Sequence, residues 1–383
     1  MSHLSYLEKL LDGVDVEWTT LGNEYAVEIA NSGRKPVKAT LRVAGQTPYY
    51  GANNIQDYVE GYTHDGEFVL IAEDGSASLE NYSIQYARGR FWANNHVHVV
   101  RGKEGLNTRF LYHYLHIVNF IPFLSGGGRA KLTKGKLVDI PLPIPCPDNP
   151  EKSLAIQAEI VRILDAFTAM TAELTAELNM RKKQYNYYRD QLLSFEEGDV
   201  EWKALGKIAE INTGQKPSEI LDTEAEFDYI NAGTTRSGYC ALSNCEGNTV
   251  TTPSRGQGGI GFVGYQNKSF WLGPLCYKIR SIDNKILINK YLFYILQSKN
   301  QLLLGLKKEG GVPAVNKSDL AKLEIPVPSI TEQERIVEIL DKFDTLATSI
   351  QEGLPREIEL RQKQYEYYRD LLLSFPKPEE SAA

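Results

Sequence analysis

Fifteen residues near the middle of the chain, RKKQYNYYRDQLLSF at 181–195, return near its end as RQKQYEYYRDLLLSF at 361–375. Twelve of the fifteen positions are identical at an offset of 180. A repeat of that length means two copies of one folding unit, since the same apolar faces must find a burial partner each time. Three further pairs support it. DVEWTTLG at 15–22 is echoed by DVEWKALG at 199–206, IPLP at 140–143 aligns with IPVP at 325–328, and QAEIVRILDAF at 157–167 aligns with QERIVEILDKF at 333–343. Each half is therefore a variable block followed by a helical block that barely changes. SYLEKLL at 5–11 matches the end of such a helical block, YRDQLLS at 188–194, so residues 1–14 are expected to lie beside the C-terminal helices.

The variable blocks read as short strands broken by Gly, Asn and Asp: TPYYGANN at 47–54, GEFVLIAEDG at 66–75 and FWANNHVHVV at 91–100, then DYINAGTT, GGIGFVGYQN and SFWLGPLCYKI in the second half. A Phe-Trp pair recurs at 91–92 and 270–271, and helices are expected at 108–119 and near 289–301. In the first helical block the apolar series runs through Ile156, Ile160, Ile163, Phe167, Met170, Leu174 and Leu178, then Tyr185, Tyr188, Leu192 and Phe195. Its steps alternate 4 and 3, the seam of a coiled coil. The exception is a four-residue stutter inside TAELTAEL at 171–178. In the second block Gly353-Leu354-Pro355 predicts a break. The expected class is α+β: two pseudo-twofold-related mixed α/β domains, at 15–150 and 199–330. Two long antiparallel coiled-coil helices, at 151–198 and 331–383, separate them.

Several functions are disfavoured. A net charge of −7 rules against coating nucleic acid through bulk charge. The four cysteines form no CxxC pair, which suits free thiols in a reducing cytoplasm. No basic leader and no run of transmembrane length is present. GQGGIG at 256–261 satisfies GxGxxG, but strand-like FVGY follows where a phosphate-binding helix should begin, so a tight turn or close backbone approach is expected. His96 and His98 lack a third metal ligand, Glu73-Asp74 lacks a second carboxylate cluster, and neither a Walker A sequence nor an Asn/Asp-Pro-Pro-aromatic motif occurs. No catalytic centre and no metal site is expected.

What the variable blocks do carry is amide, hydroxyl and arginine side chains. Asn53, Asn54, Arg88, Arg90, Asn94 and Asn95 fall in the first block, and Asn231, Thr234, Thr235, Arg236, Arg255 and Gln257 in the second. Asn and Gln pair bidentately with adenine and Arg with guanine in the major groove. Each residue is equally accounted for as a turn former or solvated polar group. Arg129, Lys131 and Lys134, with Lys308 and Lys317, suit phosphate contacts that set register. Tyr187, Tyr188, Tyr367 and Tyr368 cover more helix surface than one seam needs, and are candidates for a protein partner.

Over essentially its full length, on DVEWxxLG, IPxP, QxxIVxILDxF and KQYxYYRDxLLSF, the chain resembles the specificity subunit of type I restriction–modification enzymes. TAELTAEL is similar to the tandem element of the IC branch. The resemblance implies two target-recognition domains, each reading half of a bipartite, asymmetric site on double-stranded DNA. It implies helices that dock two modification subunits, which carry S-adenosylmethionine, and restriction motor–nuclease subunits that use ATP and magnesium. The chain itself would be non-catalytic and bind no cofactor. A coiled-coil scaffold without a DNA role is the other reading.

Overall fold

The computed structural model describes residues 6–126, 130–196, 198–256, 258–308, 312–348 and 353–377. They divide into two compact units: unit 1 is Met1–Leu174 with Ile358–Ala383, and unit 2 is Thr175–Glu357.

In unit 1, helix α1 (Tyr6–Leu11) leads into strand β1 (Val16–Thr20). A six-stranded sheet follows, from β2 (Val27–Ile29), β3 (Ala44–Tyr50), β4 (Ile55–Val59), β5 (His64–Ala72), β6 (Ile84–Ala93) and β7 (Val97–Gly102), in the order β2-β7-β5-β6-β3-β4. Valines, isoleucines and aromatics supply its buried positions, as strand propensity asks: Val69, Leu70, Ile71, Phe91, Val97 and Val99 are all fully buried. Helix α2 (Thr108–Leu115) starts where the Asn107 side chain accepts from the backbone N–H of Arg109 and Phe110, an N-cap. After α3 (Lys134–Leu137), β8 (Pro141–Pro145) pairs antiparallel with β1, setting Trp18 opposite Pro143. Helix α4 (Pro150–Leu192) then runs on for 43 residues.

Unit 2 repeats the plan. β9 (Glu201–Ala204) opens it, followed by α5 (Leu205–Ile208), β10 (Ala209–Thr213), β11 (Phe227–Ile230), β12 (Tyr239–Cys240) and β13 (Thr249–Pro253). Then come β14 (Gly264–Gln266), β15 (Trp271–Leu272), β16 (Cys276–Ser281), α6 (Asn289–Ser298), α7 (Asn300–Gly305), α8 (Lys317–Leu320) and β17 (Glu324–Val327). Helix α9 (Ile330–Thr348) closes unit 2, and α10 (Leu354–Leu373) belongs from Ile358 onward to unit 1. The six-stranded sheet of unit 1 becomes two here, β10-β16-β13-β14 and β12-β11-β15. The cause is local: the counterpart of the continuous β6 is interrupted between Gln266 and Trp271.

The clasp that closes each unit corrects the alignment of the proline motifs. β9 pairs with β17 so that Trp202 faces Pro326, as Trp18 faces Pro143. Pro143 therefore matches Pro326, two residues away from the IPLP/IPVP alignment. The Phe-Trp pairs hold the same place in both units. Tyr49 pairs with Trp92 and Tyr229 with Trp271 on parallel strands. The two indole N–H groups donate to the carbonyls of Lys35 and Gln215, at 2.7 and 2.8 Å.

Each unit is completed by an exchange between the two helical repeats. In unit 1 the first repeat contributes Ile156, Ile160 and Leu164, and the second contributes Leu372, Leu373 and Phe375, to one core that also holds Leu7 and Leu11. Phe167 stacks on Tyr368 with ring centroids 5.2 Å apart. In unit 2 the roles are reversed: Tyr185 and Leu193 of the first repeat pack with Ile336 and Leu340 of the second, and Tyr188 stacks on Phe343 at 5.5 Å. The QxxIVxILDxF stretch of one copy thus always meets the KQYxYYRDxLLSF stretch of the other.

The unit boundary between Leu174 and Thr175 falls between the two TAEL copies. From Thr168 to Gln184 no residue of α4 is buried within the chain. The seam differs from the expected one accordingly: Met170 and Tyr188 are 41% and 45% exposed, whereas Leu164 and Leu193, off the 4–3 series, are buried. Near its ends α4 is covered from more than one side, which needs a wider apolar stripe than a two-helix seam. The expected break stands between α9 and α10, where Gly353 adopts φ +86°, a conformation open to glycine.

Candidate nucleic-acid interface

At the end of β5 three segments of unit 1 are laced together. The Leu132 N–H donates to the Glu73 carbonyl at 2.7 Å, and Asp74 and Ser125 both bridge to Lys131 through backbone. The Asn53 amide donates to the Gly75 carbonyl at 2.8 Å, and its oxygen accepts from the Ala77 N–H at 2.9 Å. Beneath them sits the Glu73 carboxylate, with Arg34 and, 3.0 Å away, Lys131. Burial pushes this carboxyl up, but hydrogen bonds from Arg34 and Lys131 override it and hold it below the usual range. His98, fully buried, bonds the Leu132 carbonyl at 2.7 Å, and burial depresses its basicity. Asp74 is engaged by His96. These histidines and acids are therefore structural ties, and no cluster of three or more metal-ligating groups occurs among the described residues.

Unit 2 builds the same cluster from other residues. The Val315 N–H donates to the Ser254 carbonyl at 2.9 Å, and Arg255 and Lys308 both bridge to Ala314 through backbone. Ser254 thus stands where unit 1 has Glu73, Arg255 where it has Asp74, and Ala314 where it has Lys131. The GQGGIG glycines do what a close approach requires: a Cβ on Gly259 would lie 2.0 Å from the Ala232 carbonyl oxygen. Beside this contact lies a hollow of about 380 Å³, lined in part by Thr234, Thr235, Arg236, Thr251, Phe262 and Gln266.

The structure thus brings Asn53, Asn54 and Lys131 into one cluster in unit 1; in unit 2 Arg255 and Lys308 flank Ala314, and Thr234, Thr235 and Arg236 line the hollow. Arg129 and Gln257, with the glycine pairs at 127–128 and 310–311, lie outside the described residues. Arg88 and Arg90 form exposed ion pairs with Glu67 and Asp65 across the β5–β6 ladder, at 3.3 Å each. Such exposed pairs contribute about 0.2–1 kcal/mol and exchange readily. Asn95 is exposed, but Asn94 is 3% exposed and its oxygen accepts from the His96 N–H. Asn231 is half-buried and spends its oxygen on the Leu275 N–H. As the chain stands, neither Asn94 nor Asn231 presents that oxygen to a base. Arg236 pairs with Asp228 at 3.0 Å, and Lys308 with Asp319 at 2.8 Å, an attachment that holds the Asp319 carboxyl low. Lys134 and Lys317 open the equivalent helices α3 and α8, and Lys317 donates to Asn212 at 3.1 Å. Tyr187 and Tyr367 are 62% and 64% exposed, each set edge-on against the tyrosine that follows it.

Sequence reasoning missed what fastens these domains to the helices. Gln157 accepts from the Asn107 N–H and donates to the Gly105 carbonyl; Gln333 accepts from the Ile288 N–H and donates to the Ile286 carbonyl. Asp165 binds Arg109 and His113, and Asp341 binds Lys290 and Tyr294. The shared Gln and Asp of QxxIVxILDxF are these anchors. Their partners lie some fifty residues upstream, which no local pattern could disclose.

Comparison with known proteins places this architecture. The family model for the type I restriction modification DNA specificity domain matches twice, over residues 16–181 and 197–360. A protein of Haemophilus influenzae described as a type I restriction enzyme specificity subunit is 47% identical, over 97% of this chain and 98% of its own. The EcoR124I/EcoR124II specificity subunit of Escherichia coli is 38% identical over 99% of both chains. Among solved structures, the S subunit of a type I restriction–modification system from Mycoplasma genitalium superposes with a TM-score of 0.68 at 17% identity, covering 96% of this chain and 98% of its own.

Proposed function

Because the chain belongs to the type I restriction–modification DNA specificity family, we infer that it is the subunit that selects the DNA sequence on which such a system acts. The observation that carries this reading is the loop cluster built twice on one clasp, with unlike side chains at matching places. Two such clusters suit two different half-sites of a bipartite, asymmetric sequence. Residues 15–150 and 199–330 form the recognition domains, with 1–14, 151–198 and 331–383 as the helical spacer. Candidate base readers are Asn54, Asn95, Thr234, Thr235, Arg236 and Arg255, while Lys131, Lys134, Lys308 and Lys317 suit backbone phosphates; Asn53, like Asn94 and Asn231, spends its oxygen on a backbone N–H. Arg88 and Arg90 join them where DNA displaces their exposed pairs.

The chain is non-catalytic, and chemistry belongs to its partners. Two modification subunits would bring S-adenosylmethionine, and motor–nuclease subunits ATP and magnesium, all in the cytoplasm. No helix among the described residues is long and apolar enough to cross a membrane. With a net charge of −7, much of the DNA affinity must come from those partners. Tyr187 and Tyr367 form the proposed docking face, since they are exposed at the same place in both repeats.

The test is methylome sequencing of cells expressing the chain with its modification subunit. The expected result is one bipartite motif methylated in both halves; methylation without a motif, or at a continuous motif, would overturn the reading. Tyr187→Ala with Tyr367→Ala is expected to weaken assembly with the modification subunit at unchanged melting temperature. A lowered melting temperature with intact assembly would return both tyrosines to a structural role.

A further inference from the structure

Among the described residues the arginines are almost all spent internally. Arg34, Arg42, Arg88, Arg90, Arg101, Arg109, Arg162, Arg181, Arg189, Arg236, Arg280, Arg335 and Arg369 each pair with a carboxylate. Arg356 and Arg361 are engaged as well. Among the described residues Arg255 is the arginine left over: its side chain is exposed and has no ion pair, hydrogen bond or ring contact.

That arginine does not sit on an arbitrary patch. Its backbone is held on both sides, by the Val315 N–H on the Ser254 carbonyl and by the Gly256 N–H on the Pro313 carbonyl at 3.1 Å. The Cα is fixed while the guanidinium stays unspent, so binding forfeits little backbone freedom. The equivalent residue of unit 1 is Asp74, which has the opposite charge and is engaged by His96. Two domains of one plan thus carry opposite charges at this one position, while Lys131 of unit 1 stands where unit 2 has Ala314. The neighbouring lysines are already tied, Lys308 to Asp319 and Lys317 to Asn212. A lysine offers a point charge that suits a phosphate, whereas a planar guanidinium offers two parallel donors matched to guanine O6 and N7.

We propose that Arg255 is a specificity-determining residue of the second recognition domain, reading one guanine edge in that domain's half-site, with no counterpart in the first. The proposal rests on the DNA-recognition reading above and deepens it.

The test uses the complete chain assembled with its modification subunits. Competition binding is run against duplexes carrying the wild-type motif substituted one base pair at a time, for the wild type, Arg255→Ala and Arg255→Lys. The wild type is expected to discriminate at one G·C pair of one half-site by on the order of 10- to 100-fold. In Arg255→Ala the profile goes flat at that pair and keeps its shape elsewhere, whatever happens to overall affinity. Arg255→Lys, which keeps the charge and loses the fork, flattens it too. If Arg255→Ala weakens binding equally for every duplex, or Arg255→Lys retains wild-type discrimination, Arg255 is a phosphate contact or a bystander and the proposal fails. A wild-type complex with no sequence preference at all would instead overturn the functional reading beneath it.

Discussion

At the scale of single residues the two units differ most in their histidines. All six lie at or before position 116, so unit 2 has none. Burial depresses His98, His113 and His116, the last to about 4, and only partly do Glu73 and Asp165 offset this for the first two. His116 also faces His113, Arg369 and Arg109, all unfavourable to a second positive charge, in a hollow shared with Glu80 and Asp370. A histidine held below its unfolded pKa near 6.5 leaves the unfolded chain binding more protons in acid. Its contribution is complete above pH 6.5 and is lost as pH falls through the folded value. For His116 the span from 6.5 to about 4 sets a ceiling of about 3 kcal/mol, at about 1.4 kcal/mol for each pH decade. Unit 1 is therefore expected to melt progressively before unit 2 between pH 6.5 and 4, and His116→Gln to remove part of that sensitivity. Calorimetry across this range decides it; parallel loss in both units would count against the assignment. Elsewhere a similar polar residue carries the opposite lesson. Asn94 and Asn95 are neighbours in sequence, yet one is buried and one exposed. Composition marks both as candidate readers, and only the turn between β6 and β7 separates them.

At the scale of elements, α4 is the informative object. The duplicated TAEL was legible as a stutter, and the boundary between units falls at its midpoint. No residue there depends on a buried contact within the chain. A third TAEL after Leu178 should therefore be tolerated. It adds about 6 Å, four residues at about 1.5 Å each, which is one or two base pairs of B-DNA at about 3.4 Å per pair. The expected outcome is a longer nonspecific spacer between unchanged half-sites, read by methylome sequencing; an unchanged spacer or new half-site bases would refute it. A two-residue insertion turns the helix by roughly 200° at 3.6 residues per turn and should abolish modification. Much of the fold was readable because repeats, the Phe-Trp strands and the Gly353 break are local signals. The pairing of helices was not. The two KQYxYYRD copies are nearly identical, so the sequence cannot say which domain each one completes. The IPxP motifs misled for a related reason: a two-residue shift preserves the alternation of proline and apolar residues, and only the partner strand fixes the register.

At the scale of the whole molecule, unit 1 borrows its last wall from residues at the far end of the chain. Leu372, Leu373 and Phe375 are buried in it, and the Trp18 indole donates to the Pro376 carbonyl at 2.7 Å. Each of the three apolar side chains contributes roughly 1.5–3 kcal/mol by burial, together comparable to the whole stability of a domain, about 5–15 kcal/mol. A chain ending at Asp370 should lose amide-exchange protection in β5 and β7 while β13 and β16 keep theirs; equal loss in both would mean that the units do not fold apart. The same borrowing reverses the order in which the protein can mature on the ribosome. Unit 2 is an unbroken run and can close soon after its last helix emerges, whereas the unit that is translated first must wait for the final turn of α10. At about 5–20 residues per second, the roughly 200 residues between Leu174 and the C-terminal segment keep that core open for on the order of 10–40 s. For that interval the N-terminal half is an unfinished surface, exposed to chaperones and to the C-terminal segments of sister chains leaving the same messenger.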